Sequence, residues 1–183
     1  VQCSDMASSI MDNPQFLEDY EKLKAVKLNP HRHTAANAHE ANKMVEVRTA
    51  ELAELNNLSA DDTSMLMELA YVHDIGKIAG TANPEASVAL LAKYGLADDE
   101  VFVNMVKYHD VSLPWHQAFL QGGGLTDKAW NKMARKVNMR LLCLFMIADR
   151  VDCPGGWQTN EPLAWFLEDV EKRGLLTAKL ITQ

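Results

Sequence analysis

Residues 126–152 read TDKAWNKMARKVNMRLLCLFMIADRVD, and the fold turns on how this stretch is interpreted. Thr126 is an N-cap residue type, no Gly or Pro follows before Asp152, and LLCLFMIA at 141–148 is apolar on nearly every face. A helix hydrophobic all round must be covered on all sides by other elements. The stretch therefore predicts one long helix at the centre of a bundle. Working outward, the same punctuation recurs. Asn13-Pro14 opens a helix through FLEDYEKLKAV, which Asn29-Pro30 breaks. A second helix is expected from about Ala35 to Leu55, with Ala38, Ala41, Val45 and Leu52 turned to the core, and Asn56-Asn57 ends it. Ser59, three residues before Asp62, caps the segment holding MLMELAYV. Asn83-Pro84 starts a helix that closes near Gly95, and Asp98 or Asp99 caps another reaching His109. Gly122-Gly123-Gly124 is a connector, and the last helix runs from Asn160 and Pro162 to Gly174. No segment alternates apolar and polar residues between hairpin turns. The expected fold class is all-α, a single-domain helical bundle over residues 1–183.

Composition narrows the function. Eighteen Lys and Arg against 25 Asp and Glu leave a net charge of −7. Polynucleotides and anionic membranes are normally met by clustered basic residues, so both are disfavoured as partners. Cys3, Cys143 and Cys153 are an odd set without a Cys-x-x-Cys pair, so neither a disulfide framework nor a thiolate zinc site is indicated. No apolar stretch approaches the roughly 18 to 20 residues of a membrane span, and VQCSDMASSI lacks the pattern of a signal peptide. Together these point to the cytoplasm.

The chemistry concentrates at His73-Asp74, an imidazole and a carboxylate on adjacent positions after an apolar helix, with Gly76 marking a turn. A mixed nitrogen and oxygen donor set suits manganese, iron, cobalt, nickel or zinc, with magnesium less favoured. Asp149 shares a helical stripe with Leu141, Leu142 and Phe145, so it points inward and needs a partner. Arg150, beside it, faces elsewhere on the same helix. Val101, Met105 and His109 are spaced four apart, which sets His109 at the inner end of its helix. His39 lies on the face of Ala35 and Ala38 and supplies a further imidazole. His31 and His33, in the polar segment NPHRH, fit a solvated turn. Trp115 and His116 fall on a loop, where Trp115 either packs or stacks on a base.

A His, then His-Asp 34 residues on in AYVHDIGK, then Asp149 in MIADRVD, resembles the HD-domain superfamily of metal-dependent phosphohydrolases. The resemblance spans His39 to Asp149, 111 of 183 residues, and assigns the HD-type core to about 35–152. It implies that His39, His73, Asp74 and Asp149 hold one divalent metal ion. Lys77 matches a lysine that meets a substrate phosphate or a carboxylate, and His109 in KYHD matches an extra histidine near the metal. Asp74, Lys77 and His109 are accordingly the expected catalytic residues. Where binuclear members carry a His before Ala-Ser, NPEASVALL has Asn83, so one metal is expected. KYHDVSLPW lacks the signature of the cyclic-dinucleotide phosphodiesterase branch, and the diadenosine-polyphosphate hydrolase branch again wants the missing histidine. The implied function is hydrolysis of a small phosphorylated substrate, a nucleotide or related phosphate ester. The alternative is a non-enzymatic sensor or regulatory module that binds metal and a nucleotide or protein partner.

Overall fold

Val137 and Asn138 interrupt the stretch expected to be one helix. Asn138 is extended, and its side chain accepts the N–H of Leu141 at 3.2 Å. That is the N-cap arrangement which starts a new helix. In the computed structural model, which describes residues 10–183, the stretch is thus two helices, α7 (Asp127–Lys136) and α8 (Met139–Asp149). A 3-10 turn over Arg150–Asp152 follows. A lone Asn without Gly or Pro was enough to restart the helix, because its side chain satisfies an N–H that the first turn leaves orphaned.

The remaining helices are α1 (Pro14–Lys22), α2 (Ala38–Leu55), α3 (Ala60–Val72), α4 (Pro84–Leu91), α5 (Glu100–Tyr108), α6 (Ser112–Leu120) and α9 (Glu161–Lys172). Asn13, Asn37, Ser59, Asn83, Asp99, Thr126 and Asn160 each accept a backbone N–H two or three residues on. The N-cap of α2 is Asn37, not Ala35, because the chain before it is occupied in an isolated bridge between Lys27 and Asn37. Residues 112–120, expected as loop, form α6. No strand is present among the described residues, and no helix there is long and apolar enough to cross a membrane. Cys3 and the segment up to Ser9 lie outside the described residues.

Every residue from Leu141 to Ala148 is buried, as an all-apolar helix requires. α8 lies against α2 and α3, and α9 closes over α6 and α8. Trp115, Trp130 and Phe166 interleave between α6, α7 and α9, with the Trp115 and Trp130 rings 4.8 Å apart. Trp115 is half-buried in this packing and does not line the cleft around Asp74 and Asp149. The arrangement also sets three helix ends together: His73 caps the C-terminus of α3, His109 that of α5, and Asp149 is the last residue of α8.

Candidate metal centre

His73 is buried, and its Nδ1 lies 2.8 Å from the carbonyl of Ala70, to which Nδ1–H donates. Its Nε2 therefore faces the cluster, 3.3 Å from Asp74 Oδ2 and 3.2 Å from Asp149 Oδ1. The backbone that holds this turn is pinned by α4. Ser87 Oγ accepts the N–H of Gly76 at 2.9 Å and donates to the carbonyl of His73 at 2.8 Å. Gly76 sits in a 3-10 segment (Ile75–Ala79) pressed onto α4, where a Cβ would lie 2.4 Å from the backbone nitrogen of Ser87. Glycine is required there by close approach rather than by an unusual φ.

One ring nitrogen and two carboxylates, all acceptors in the neutral-histidine form, converge on one point. Such a set is stable only around a positive charge, either a proton on Nε2 or a metal ion. Burial opposes a charged ring, but the carboxylates of Asp74 and Asp149 outweigh it and push His73 up to about 10. Burial alone would also raise both carboxyls; His73 instead holds Asp74 well below the usual range and, with Arg150, brings Asp149 to about 2. The negative ends of α3, α5 and α8 converge here as well, which adds to the preference for a cation. His73, Asp74 and Asp149 offer donor atoms that all lie within 4.8 Å of one another. The donor set fits a divalent cation of the manganese, iron or zinc type.

Positive groups frame this cluster. Lys77 Nζ is 3.1 Å from Asp74 Oδ2 and largely buried; burial lowers its pKa, but Asp74 raises it further, so it stays charged. Arg150 Nη1 donates to Asp149 Oδ2 at 3.1 Å and Nη2 to Asp110 Oδ1 at 2.7 Å. Regular helical spacing would turn Arg150 away from Asp149. The helix ends at Asp149, and the tighter turn that follows brings the guanidinium back. His109 is buried, with Nδ1–H donating to the carbonyl of Val106 at 2.6 Å and Nε2 3.9 Å from Asp74 Oδ1. Met105, one stripe position earlier, is buried, while Val101, two positions earlier, is exposed.

His39 does not join them. Its ring packs edge-on against Tyr20, 4.9 Å between centroids, while Tyr20 hydroxyl donates to the buried carboxylate of Glu46. Burial and the nearby Lys24 and Lys43 lower the pKa of His39 below its ordinary value. The first turn of α2 points this side chain towards α1 because Ala38 and Ala41 take the face towards the core. His33, by contrast, lines the same cleft as Asp74 and Asp149. Its Nδ1 is 2.6 Å from Asp152 Oδ2, and Asp152 Oδ1 accepts from Thr34 Oγ1 at 3.0 Å and from the N–H of Ala35 at 2.7 Å. The polar segment is the solvated turn that its composition predicts, except that His33 at its end is tied down by one buried carboxylate 119 residues away in sequence. Asn29, Pro30, His31 and Arg32 within it are exposed, and only His33 is half-buried. Asp152, three residues after Asp149, was legible as a second acid in MIADRVD, but its partner was not.

His33, Asp74, Lys77, His109, Asp149 and Arg150 line one cleft of about 320 Å³. Its remaining walls include small apolar groups such as Ala41, Val45 and Leu113, and no aromatic ring of the described residues is among them. Asn83 stands at the N-cap of α4, accepting from the N–H of Glu85. The chain matches no protein-family model, no curated protein and no solved structure.

Proposed function

We propose that this cleft is the active site of a metal-dependent phosphohydrolase of the HD-domain type, acting on a small phosphate ester. The observation that carries the proposal is the convergence of His73 Nε2 with Asp74 and Asp149 beneath a cleft framed by Lys77, His109 and Arg150. His73, Asp74 and Asp149 would hold one divalent cation. His33 lines the same cleft, its Nδ1 occupied by Asp152 and its Nε2 left as a further donor. A carboxylate behind a histidine is the usual way in which a ligating ring is oriented. When bound, such a cation supplies Lewis-acid activation of water and of a phosphoryl oxygen.

The chain's own groups account for the other requirements. Asp74 is within reach of His73, Lys77 and His109 at once, so it orients a water at the cleft floor and accepts its proton as the water attacks phosphorus. Lys77 and Arg150 offset the charge that develops on the phosphoryl oxygens. His109, in its protonated form, donates from Nε2 to the oxygen of the departing alcohol. Absence of aromatic walls favours a compact phosphate ester over recognition by base stacking, although a nucleotide whose phosphate enters the cleft fits the same chemistry. The local cationic frame admits a small anion despite the net charge of −7.

Elemental analysis of the purified protein and of Asp74→Ala, with both assayed for manganese-stimulated phosphate release from a panel of nucleotides and sugar phosphates, tests this reading. One metal per chain, lost together with turnover in the variant, is expected. Metal retained without turnover on any phosphate ester would leave a binding module, and no metal uptake on reconstitution would remove the centre.

A further inference from the structure

The turn joining α5 to α6 contributes three groups within four residues. His109 faces Asp74, Asp110 is paired with Arg150, and Ser112 opens α6 on the wall of the cleft. The Asp110 to Arg150 ion pair therefore locks the start of α6 against the end of α8, beside the metal cluster. It also neutralises Asp110, the carboxylate nearest to Ser112 in the chain.

Ser112 is fully buried, yet its Oγ has no hydrogen-bond partner. Leaving a buried hydroxyl unpaired is unfavourable, and native structures satisfy nearly all such groups. Only four buried side-chain polar atoms among the described residues lack a partner, and two of them, Ser112 Oγ and Arg150 Nε, belong to residues lining this one cleft. Both are donors. The helix start adds to them: the N-cap Val111 offers no side-chain acceptor, and the first-turn N–H groups of Ser112 and Leu113 have no carbonyl one turn earlier in the helix. Leu113 lines the cleft too, so this helix end meets the cleft and not the apolar core. An oxyanion is the ligand that satisfies a hydroxyl, a guanidinium N–H and a helix N-terminus together.

We propose that Ser112 Oγ, the first turn of α6 and Arg150 Nε form an oxyanion subsite that receives a phosphate group of the ligand, separate from the metal-ligating residues. This rests on the phosphoester reading of the cleft and deepens it, since it names the group of the substrate that is grasped and the residue that grasps it. Ser112 is a binding residue here and takes no part in bond breaking.

The test uses the full chain and Ser112→Ala, with three readouts: thermal stability of the free protein, Mn2+ binding by calorimetry, and binding of inorganic phosphate with and without Mn2+. Because the wild-type hydroxyl is unsatisfied, Ser112→Ala is expected to keep or raise the Tm. Mn2+ affinity is expected to stay unchanged, while phosphate binding weakens about tenfold, the loss of one charge-assisted hydrogen bond. Equal phosphate affinity in both proteins, or no phosphate binding to wild type in either condition, overturns the subsite. A clear fall in Tm for Ser112→Ala also overturns it, by showing that the hydroxyl is already partnered in the free protein. Failure of both proteins to take up Mn2+ counts against the metal centre alone, since the phosphate comparison without Mn2+ still reads the subsite.

Discussion

Ser87 Oγ lies 2.8 Å from the carbonyl oxygen of His73, fourteen residues earlier in the chain, and in the same position accepts the N–H of Gly76. One hydroxyl on α4 thus fixes the backbone on which His73 and Asp74 are mounted. Ser87→Ala is expected to cost about 1–3 kcal/mol, because it leaves a buried N–H unsatisfied. Gly76→Ala is expected to cost more, about 3 kcal/mol, since its Cβ would meet α4 backbone that has no room to yield. Urea unfolding of both variants checks the order; a Gly76→Ala protein as stable as wild type would contradict the close packing.

His33 and His39 separate the structural assignment from the spacing of the sequence motifs. His33→Ala and Asp152→Asn are expected to weaken metal binding about 10- to 100-fold. His39→Ala is expected to leave it unchanged, since that ring packs on Tyr20. Calorimetric titration with Mn2+ decides between them, and the opposite pattern would restore His39 to the ligand set.

Metal uptake should be linked to protons. With the folded-state pKa of His73 raised to about 10 by Asp74 and Asp149, the metal-free ring carries a proton at neutral pH that a cation must displace. Mn2+ binding at pH 7 is then expected to release about one proton per chain, and affinity to rise with pH up to the region of that pKa. Titration in buffers of different ionisation enthalpy counts the protons, and a value near zero would place the ring in its neutral form.

Asp19 provides a control on stability away from the cleft. It is buried between α1 and the segment around Tyr94, accepting from Lys93 Nζ at 2.8 Å, Tyr94 hydroxyl at 2.6 Å and Lys22 Nζ at 3.2 Å. Burial raises its pKa, but these donors more than offset that and hold the carboxyl below its ordinary value. The folded state therefore binds the proton less readily than the unfolded chain. Its contribution is fully present above the unfolded value of about 3.9 and is lost as pH falls through the lower folded value. Asp19→Asn is expected to lose about 1.5–3 kcal/mol at pH 7, with the gap to wild type closing below about pH 4. A gap that stays constant on acidification would show that the charge of Asp19 is irrelevant.

Local sequence chemistry determined most of the helices, though neither the break at Asn138 nor α6. Asn before Pro at 13–14 and 83–84, Ser59 before Asp62, and the apolar run at 141–148 each act through the nearest turn or through the need to cover a hydrophobic surface, and these operate whatever the rest of the chain does. The proximity of His73 to Asp74, and the inward stripe of Asp149, were legible for the same reason. The tertiary structure alone decided what depends on contacts across long separations. Asp152 captures His33 from 119 residues away, Tyr20 takes up His39, and Arg150 returns to Asp149 and Asp110 once the helix tightens at its end. Spacing along a chain locates a residue on a helix face, but which face meets which partner is fixed by how the helices pack. That is why three members of the four-residue set lie together while His39 packs elsewhere.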